Sequence, residues 1–443
     1  MNNFRTLYFW LIWLCLPVMG NELDWMEVRL STETPLLPLL MAKMELQDPA
    51  FPAEYLQSLT SVVEFDFAHN GQMQLLPKND RVGNDLNKWT GPSAAFILQV
   101  SCKGQQIGLN LLQTASRQII QTPFRALSGD LAQDRREVHL LSDWLYQRLF
   151  QKEGIASTKI LYSVSTGPLR QKTAEIWESD YDGGNPRKST TEKSYAITPV
   201  YLPPEKGRRS GGFLFVSYRS GQPKIYACSR QGGKSKRVIY LGGNQLMPAI
   251  SPQGDCIAFV SDITGNPDLF LQLFDKTKGA VGKPRQIFAA AHATQGSPTF
   301  SPNGKQVAFV SNKDGSPKIY MMDLPPEGLS LKQVRPKLLS RKNTENSAPA
   351  WSPDGTKIAY CARSAGGERQ IWVYNLLSQK EQAVTEGPGH KENPSWAPNS
   401  LHLIFNSSES GKAELFLLPP HHRLPTLLPS PPGEKLFPSW EVR

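Results

Sequence analysis

Charge is sparse in this sequence of 443 residues. Asp, Glu, Lys and Arg together make 20%, below the ~25% of an average soluble protein. With 34 Gly and 36 Pro added to that, a coiled coil is excluded. Long apolar runs are also missing: beyond the first twenty residues no stretch of 18 apolar residues occurs, so no spanning helix is expected there. Cysteine is limited to five residues without a C-x-x-C pair. No Gly-x-Ser-x-Gly is present, which removes an α/β-hydrolase partner domain. None of the seven His belongs to a His-Glu-x-x-His or an i,i+4 pair, so zinc catalysis has no support. Disorder is excluded too, because 10 Trp, 13 Tyr and 19 Phe supply a core.

What is present begins with an export signal. Arg5 precedes the apolar run Leu7 to Leu16, Pro17 breaks it, and Gly20 offers a small residue for cleavage. The run is too short to span a bilayer of ~20 residues, which argues against a retained anchor. Bulky Leu14 before Cys15 argues against lipidation. Removal of residues 1–20, with one Arg and no acid, changes the net charge from +10 to +9. The basic residues are scattered. The densest groups, Lys234 to Arg237 and Arg208-Arg209, sit beside Gly-rich turns and read as solvated loops. A nucleic-acid partner is not expected. Cys102, Cys228, Cys256 and Cys361 lie in apolar strand-like runs and read as separate buried thiols.

Residues 21–155 mix helix and strand patterns. Tyr55, Leu56, Leu59, Val62 and Val63 recur at helical spacing and predict a helix within Phe51 to Phe67, stopped at Asn70-Gly71. Ala94 to Ser101, Gln106 to Thr114 and Arg117 to Thr122 predict strands, the first two joined by a turn at Lys103-Gly104. Val138, Leu141, Leu145 and Leu149 predict a second helix from Arg135 to Lys152, with Gly154 as its C-cap.

From residue 156 the chain repeats. Pro248-Ala-Ile-Ser-Pro-Gln-Gly254 recurs from Pro298, Pro349 and Pro394, at spacings of 50, 51 and 45 residues. A degraded copy starts at Pro199, and a last partial copy is Phe437-Pro438-Ser439-Trp440. Periods of ~40–50 with several strands each mean propeller blades. Each repeat reads as an inner strand, a Ser-Pro-Asp-Gly type turn, an apolar strand such as Cys256 to Val260, a Gly-containing loop, and two outer strands. Ile160 to Ser163 and Glu175 to Trp177 form a blade without an inner strand. Phe437 to Trp440 is an inner strand without a blade. Joining them predicts an α+β N-terminal domain (21–155) followed by an all-β six-bladed β-propeller (156–443), closed by its C-terminal strand.

Site signals are weak. Gly233-Lys234-Ser235 ends like a phosphate loop, but Cys228 replaces its first Gly. Asp180-Tyr181-Asp182-Gly183 starts like a calcium loop without the later acid and is read as a type I turn. His421-His422, beside two prolines, is read as an exposed turn. Asn244, His292, Asn346 and His390 each lie shortly before an inner-strand Pro, in interblade loops around the channel mouth. That is either ordinary loop polarity or a binding rim.

These features in this order resemble the TolB family, periplasmic components of the Tol-Pal envelope system. The repeats and Phe437 to Trp440 are similar to its propeller, Asp180 to Gly183 after Glu175 to Trp177 to its first blade, and Glu27-Val28-Arg29, Asn70-Gly71 and Gly154-Ile155 to its N-terminal domain. The resemblance implies a monomeric, non-enzymatic periplasmic adaptor without metal or cofactor. It implies that the mouth binds Pal, a peptidoglycan-associated lipoprotein, through Asn244, Met247, Gln295, Asn346, His390 and Asn393. It also implies that the N-terminal segment with Glu27, Val28 and Arg29 pairs with TolA of the inner membrane, in support of outer-membrane invagination and integrity. Departures are the Pro203-Pro204-Glu205-Lys206-Gly207 turn, Asn244 where a His is expected, and the extra residues Asn21 to Met26. Two other readings stay open: an envelope polysaccharide lyase or hydrolase using Glu392 or Glu434 beside His390, and an exported adhesin.

Overall fold

A computed structural model describes residues 35–77, 86, 94–168, 171–204, 209–420 and 424–443. The signal segment, Glu27-Val28-Arg29 and His421-His422 lie outside the described residues. Leu36–Arg443 is one compact unit.

The first region packs two helices on one face of a sheet. Its strands run β1 (Leu37–Met41), β2 (Glu45–Gln47), β3 (Met73–Leu75), β4 (Phe96–Lys103), β5 (Gln106–Gln113), β6 (Gln118–Gln121) and β7 (Arg125–Ala126), and the main order is β3-β1-β4-β5-β6. Helix α1 (Ala53–Ala68) buries Leu56, Leu59, Val62, Val63 and Phe67, and α2 (Leu131–Phe150) buries Val138, Leu141 and Leu145 against the same core. The helical spacing read from the sequence is therefore the core stripe. Asp130 caps α2 by accepting from the N–H groups of Ala132 and Gln133.

Gly154 is not the cap. Helix α2 ends at Gln151, whose φ of 54° is left-handed and whose N–H reaches the Gln147 carbonyl. Gly154 is small for another reason: its backbone runs against Asp143, where a side chain would collide. The Asp143 carboxylate accepts from Ala156 N (2.8 Å) and Ser157 N (3.0 Å), which steers the chain from helix into propeller.

Six four-stranded sheets follow, each a blade. Blade 1 pairs the C-terminal strand Glu434–Trp440 with Lys159–Thr166, in the register Trp440↔Ile160 and Glu434↔Ser165. The first and last strands of the propeller thus share one sheet, which leaves no open seam in the ring. Trp440 is buried and donates its indole N–H to Thr158 Oγ1 at 2.8 Å. The blade turns form as the Pro-x-Gly pattern requires. Gly254, Gly304 and Gly355 bond back three residues, at φ of 73°, 70° and 75°. The four cysteines are all buried and free.

Ionic groups fasten the helices to blade 1, and a hydrogen bond ties the end of α1 to blade 6. His139 and Arg135 of α2, with Asp66 of α1, meet Asp180, Tyr181 and Asp182 at the blade 1 turn. His139 Nδ1 lies 2.9 Å from Asp66 Oδ1, the Tyr181 hydroxyl donates to the same oxygen at 3.0 Å, and Arg135 reaches Asp182 at 2.5 Å. Lys159 meets Asp180 at 2.6 Å. On blade 6, His402 Nε2 lies 2.7 Å from the His69 carbonyl. Burial alone would lower the His139 pKa. The charge and hydrogen bond of Asp66, then Asp182 and Asp180, outweigh it and raise it to about 9.

Two tests follow from these contacts. Trp440→Ala removes a buried ring at the closure and should cost about 3–5 kcal/mol, read as a lower urea midpoint. The His139 contribution is complete below its ordinary 6.5 and disappears as pH rises through about 9. Thermal stability should therefore fall over that window, and His139→Gln should flatten the fall.

Candidate functional site

Strand direction sorts the loops onto two faces. In blades 2 to 6 the inner strand ends at the turn into the second strand, so these turns share one face. The helices dock on that face, at Asn399 to His402 and at Asp180 to Asp182. The interblade loops and the loops between second and third strands occupy the opposite face, around the mouth.

Four of the six anticipated rim residues reach this mouth. Asn244 is half-buried and clamped on Asp262, with Nδ2 to Oδ2 at 2.6 Å and N to Oδ1 at 2.7 Å. Met247 is exposed, and its Sδ accepts from Ser297 N of the next blade at 3.1 Å. His390 is exposed. Its Nδ1 accepts from Arg369 N at 3.1 Å, which places the ring proton on Nε2. Asn393 donates to Asn406 Oδ1 at 2.9 Å.

Gln295 and Asn346 differ from the expectation: both are buried behind the rim. Asn346 is fully enclosed and donates to Ser340 Oγ and the Asn343 carbonyl. Gln295 is likewise enclosed, and its side-chain amide has no partner among the described residues. Both lie two residues before the bulge described next, at a strand position that is enclosed between blades.

The sequence reading missed one feature. The residue before each inner-strand proline has positive φ: Thr198 50°, Met247 52°, Ser297 44°, Ala348 48°, Asn393 55° and Phe437 54°. None is Gly, and a register shift marks the place in each blade. Such a conformation costs of order 1–3 kcal/mol per residue. Six bulges at one level re-aim the strands where they turn from the mouth into the channel. The only signal was the recurring Pro itself, and a residue before Pro ordinarily reads as extended.

The two acids considered above for catalysis are each paired with a cation. Glu392 meets Arg369 at 2.5 Å, and Glu434 meets Lys172 at 2.5 Å. Each carboxylate has a cation as its partner and not a second carboxylate, unlike the close acid pair a glycosidase uses. Among the described residues one group has metal-ligand character, His139 with Asp180 and Asp182. It belongs to the helix–propeller junction, where Arg135 and Lys159 already supply the positive charge.

Comparisons with known proteins agree with this architecture. Residues 146–443 match the family described as TolB beta propeller domain. The chain is 46% identical over 413 residues to a protein TolB homolog of Protochlamydia amoebophila, covering 88% of each. It is 36% identical over 442 residues to a protein TolB homolog of Chlamydia pneumoniae, covering 98% of this chain and 97% of that one. The crystal structure of TolB from Acinetobacter baumannii shares the fold, with a TM-score of 0.74 at 21% identity over 92% of this chain and 97% of the other.

The bulge strain is testable without touching a binding side chain. Ala348→Gly removes the left-handed penalty at one position and should raise stability by about 1 kcal/mol, read as a higher urea midpoint.

Proposed function

The chain belongs to the TolB family of non-enzymatic β-propeller components of the Tol-Pal system, and on that premise we propose that it is a two-sided periplasmic adaptor. One side is the channel mouth, which docks a Pal-like peptidoglycan-associated lipoprotein. The other is the N-terminal segment, whose Glu27, Val28 and Arg29 pair with a TolA-like inner-membrane protein. In this reading residues 1–20 are removed on export, residues 21–155 form the N-terminal domain and 156–443 the propeller. Among the described residues no helix is long and apolar enough to cross a membrane.

The observation that carries the reading is the placement of the helices. They occupy the face opposite the mouth and leave the rim open, so one partner can be held without displacing the helical region. The rim also suits a protein ligand. Asn244, His390 and Asn393 are polar groups fixed by internal hydrogen bonds, and exposed Met247 offers an adaptable apolar contact beside them. Gln295 and Asn346 act behind this rim by filling the space between blades. Held between two membranes, the adaptor would support outer-membrane invagination at division and envelope integrity.

The experiment is capture from an envelope extract. The intact protein should retain a peptidoglycan-associated lipoprotein. The double variant His390→Ala with Asn393→Ala should weaken the complex about tenfold, or 1.4 kcal/mol, with the melting temperature within a few degrees of the parent. A folded double variant that captures the lipoprotein as well as the parent refutes the rim. Failure of the intact protein to capture any such lipoprotein refutes the function.

A further inference from the structure

Blade 5 carries a cleft that the mouth does not use. Its third strand, Arg369–Asn375, pairs with Glu381–Ala383 in the register Trp372↔Ala383. On the third strand and its approach, Glu368, Gln370 and Trp372 alternate onto one face. Beside them Ala383 and Thr385 alternate onto the same face of the sheet. Together these rows line an open cleft of about 470 Å³, within the ~300–1,000 Å³ of small-molecule sites.

The lining has a definite chemistry. Trp372 is half-buried, with one side packed on the blade 4–blade 5 core. Small Ala383 and Gly387 leave room beside it. Its indole N–H is shielded and has no acceptor among the described residues. Gln370 and Thr385 are locked by each other. Thr385 Oγ1 donates to Gln370 Oε1 at 2.8 Å, and Gln370 Nε2 donates to the Gly387 carbonyl at 2.8 Å. The Glu368 and Glu386 carboxylates line the cleft, and the buried Lys391 ammonium, held by the Pro388 carbonyl at 2.6 Å, acts electrostatically on Glu368. Exposed Glu386 gives the cleft edge a further acid, so the lining holds two carboxylates against one buried cation.

We propose that the blade 5 cleft is a carbohydrate subsite that takes a neutral or amine-bearing pyranose and rejects acidic sugars. The apolar face of a pyranose matches the Trp372 ring. Its hydroxyls can donate to Glu368 and Glu386, which an aliphatic ligand cannot do. A uronic acid would bring a further negative charge beside the Glu368 and Glu386 carboxylates. An amine substituent would instead gain from both carboxylates and from the indole face. The paired Gln370 and Thr385 hold the floor fixed, so little ordering cost attends binding. The cleft lies on the mouth face, because Glu386 and Gly387 belong to the connection that leads to His390. A glycan strand and a protein at the mouth could be engaged side by side.

Calorimetric titration of the full chain tests this with three probes: chitotetraose, its deacetylated glucosamine counterpart, and polygalacturonate. The first two should bind, and the third should not. Glu368→Gln with Glu386→Gln should raise the dissociation constant for the glucosamine oligomer about tenfold and narrow the discrimination against polygalacturonate. Trp372→Ala should abolish binding of both sugars. If that variant unfolds, the surface double variant still decides. No binding of either sugar at about 10 mM overturns the proposal. Unchanged affinity in the double variant overturns it too, as does binding of a lysine-rich peptide without either sugar. Lipoprotein capture should be unaffected by the double variant, so failure here leaves the reading of the mouth untouched.

Discussion

The hydrogen-bonded pairing of Glu434–Trp440 with Lys159–Thr166 brings together residues nearly three hundred positions apart. Each blade buries its two faces against neighbours, and a ring has no terminal blade only if its last strand enters its first sheet. The closure therefore fixes the blade count, the position of the channel and the face on which every loop emerges. Trp440 is placed where this matters most. It fills the closure sheet, bonds to Thr158 at the entry to the propeller, and lies near the Tyr181 ring that the helices contact. One packed region thus joins the ring seam and the helix junction.

The junction itself is an ionic arrangement in a dry setting. Three carboxylates, Asp66, Asp180 and Asp182, meet Arg135, Lys159 and His139. Removing one partner would strand a buried charge, so the group behaves as a unit. With the three carboxylates ionised, the imidazolium form of His139 balances the charge, in line with its raised pKa, while burial pushes the Asp66 carboxyl up. This also explains why a cluster with metal-ligand residues serves a structural purpose: the protein's own cations fill the place a metal would take.

Local chemistry was legible in the sequence, and long-range chemistry was not. Pro and Gly at fixed offsets announced the turns, because φ restrictions act within a few residues. The unpaired ends at Ile160 and Trp440 announced the closure, because a propeller cannot leave them unpaired. The expectation for Gly154 failed because a Gly after a helix reads as a cap, while the true constraint was Asp143, eleven residues back in sequence. The junction was invisible, since Asp66, His139 and Asp182 come from three separated segments. The cleft on blade 5 was equally hidden. Its residues are unremarkable in sequence and converge only through the strand register Trp372↔Ala383.

The rim shows why offset counting from a motif has limited reach. Asn244, Met247, His390 and Asn393 were found by their distance from a proline, and so were Gln295 and Asn346. In a regular strand the residues one and three before the proline would share a face. The left-handed residue at the first of these positions breaks that alternation. Met247 and Asn393 therefore stand toward the mouth, while Gln295 and Asn346, two residues further back, turn between blades. The same bulge appears in all six blades, including blade 2, whose turn departs from the repeat. Because it survives where the neighbouring turn sequence does not, the bulge belongs to the geometry of the ring entrance. The side chains it displays, from Thr198 to Phe437, are then free to differ from blade to blade. A six-fold frame with six different residues at one level is what lets a symmetric ring present an asymmetric surface to a single partner.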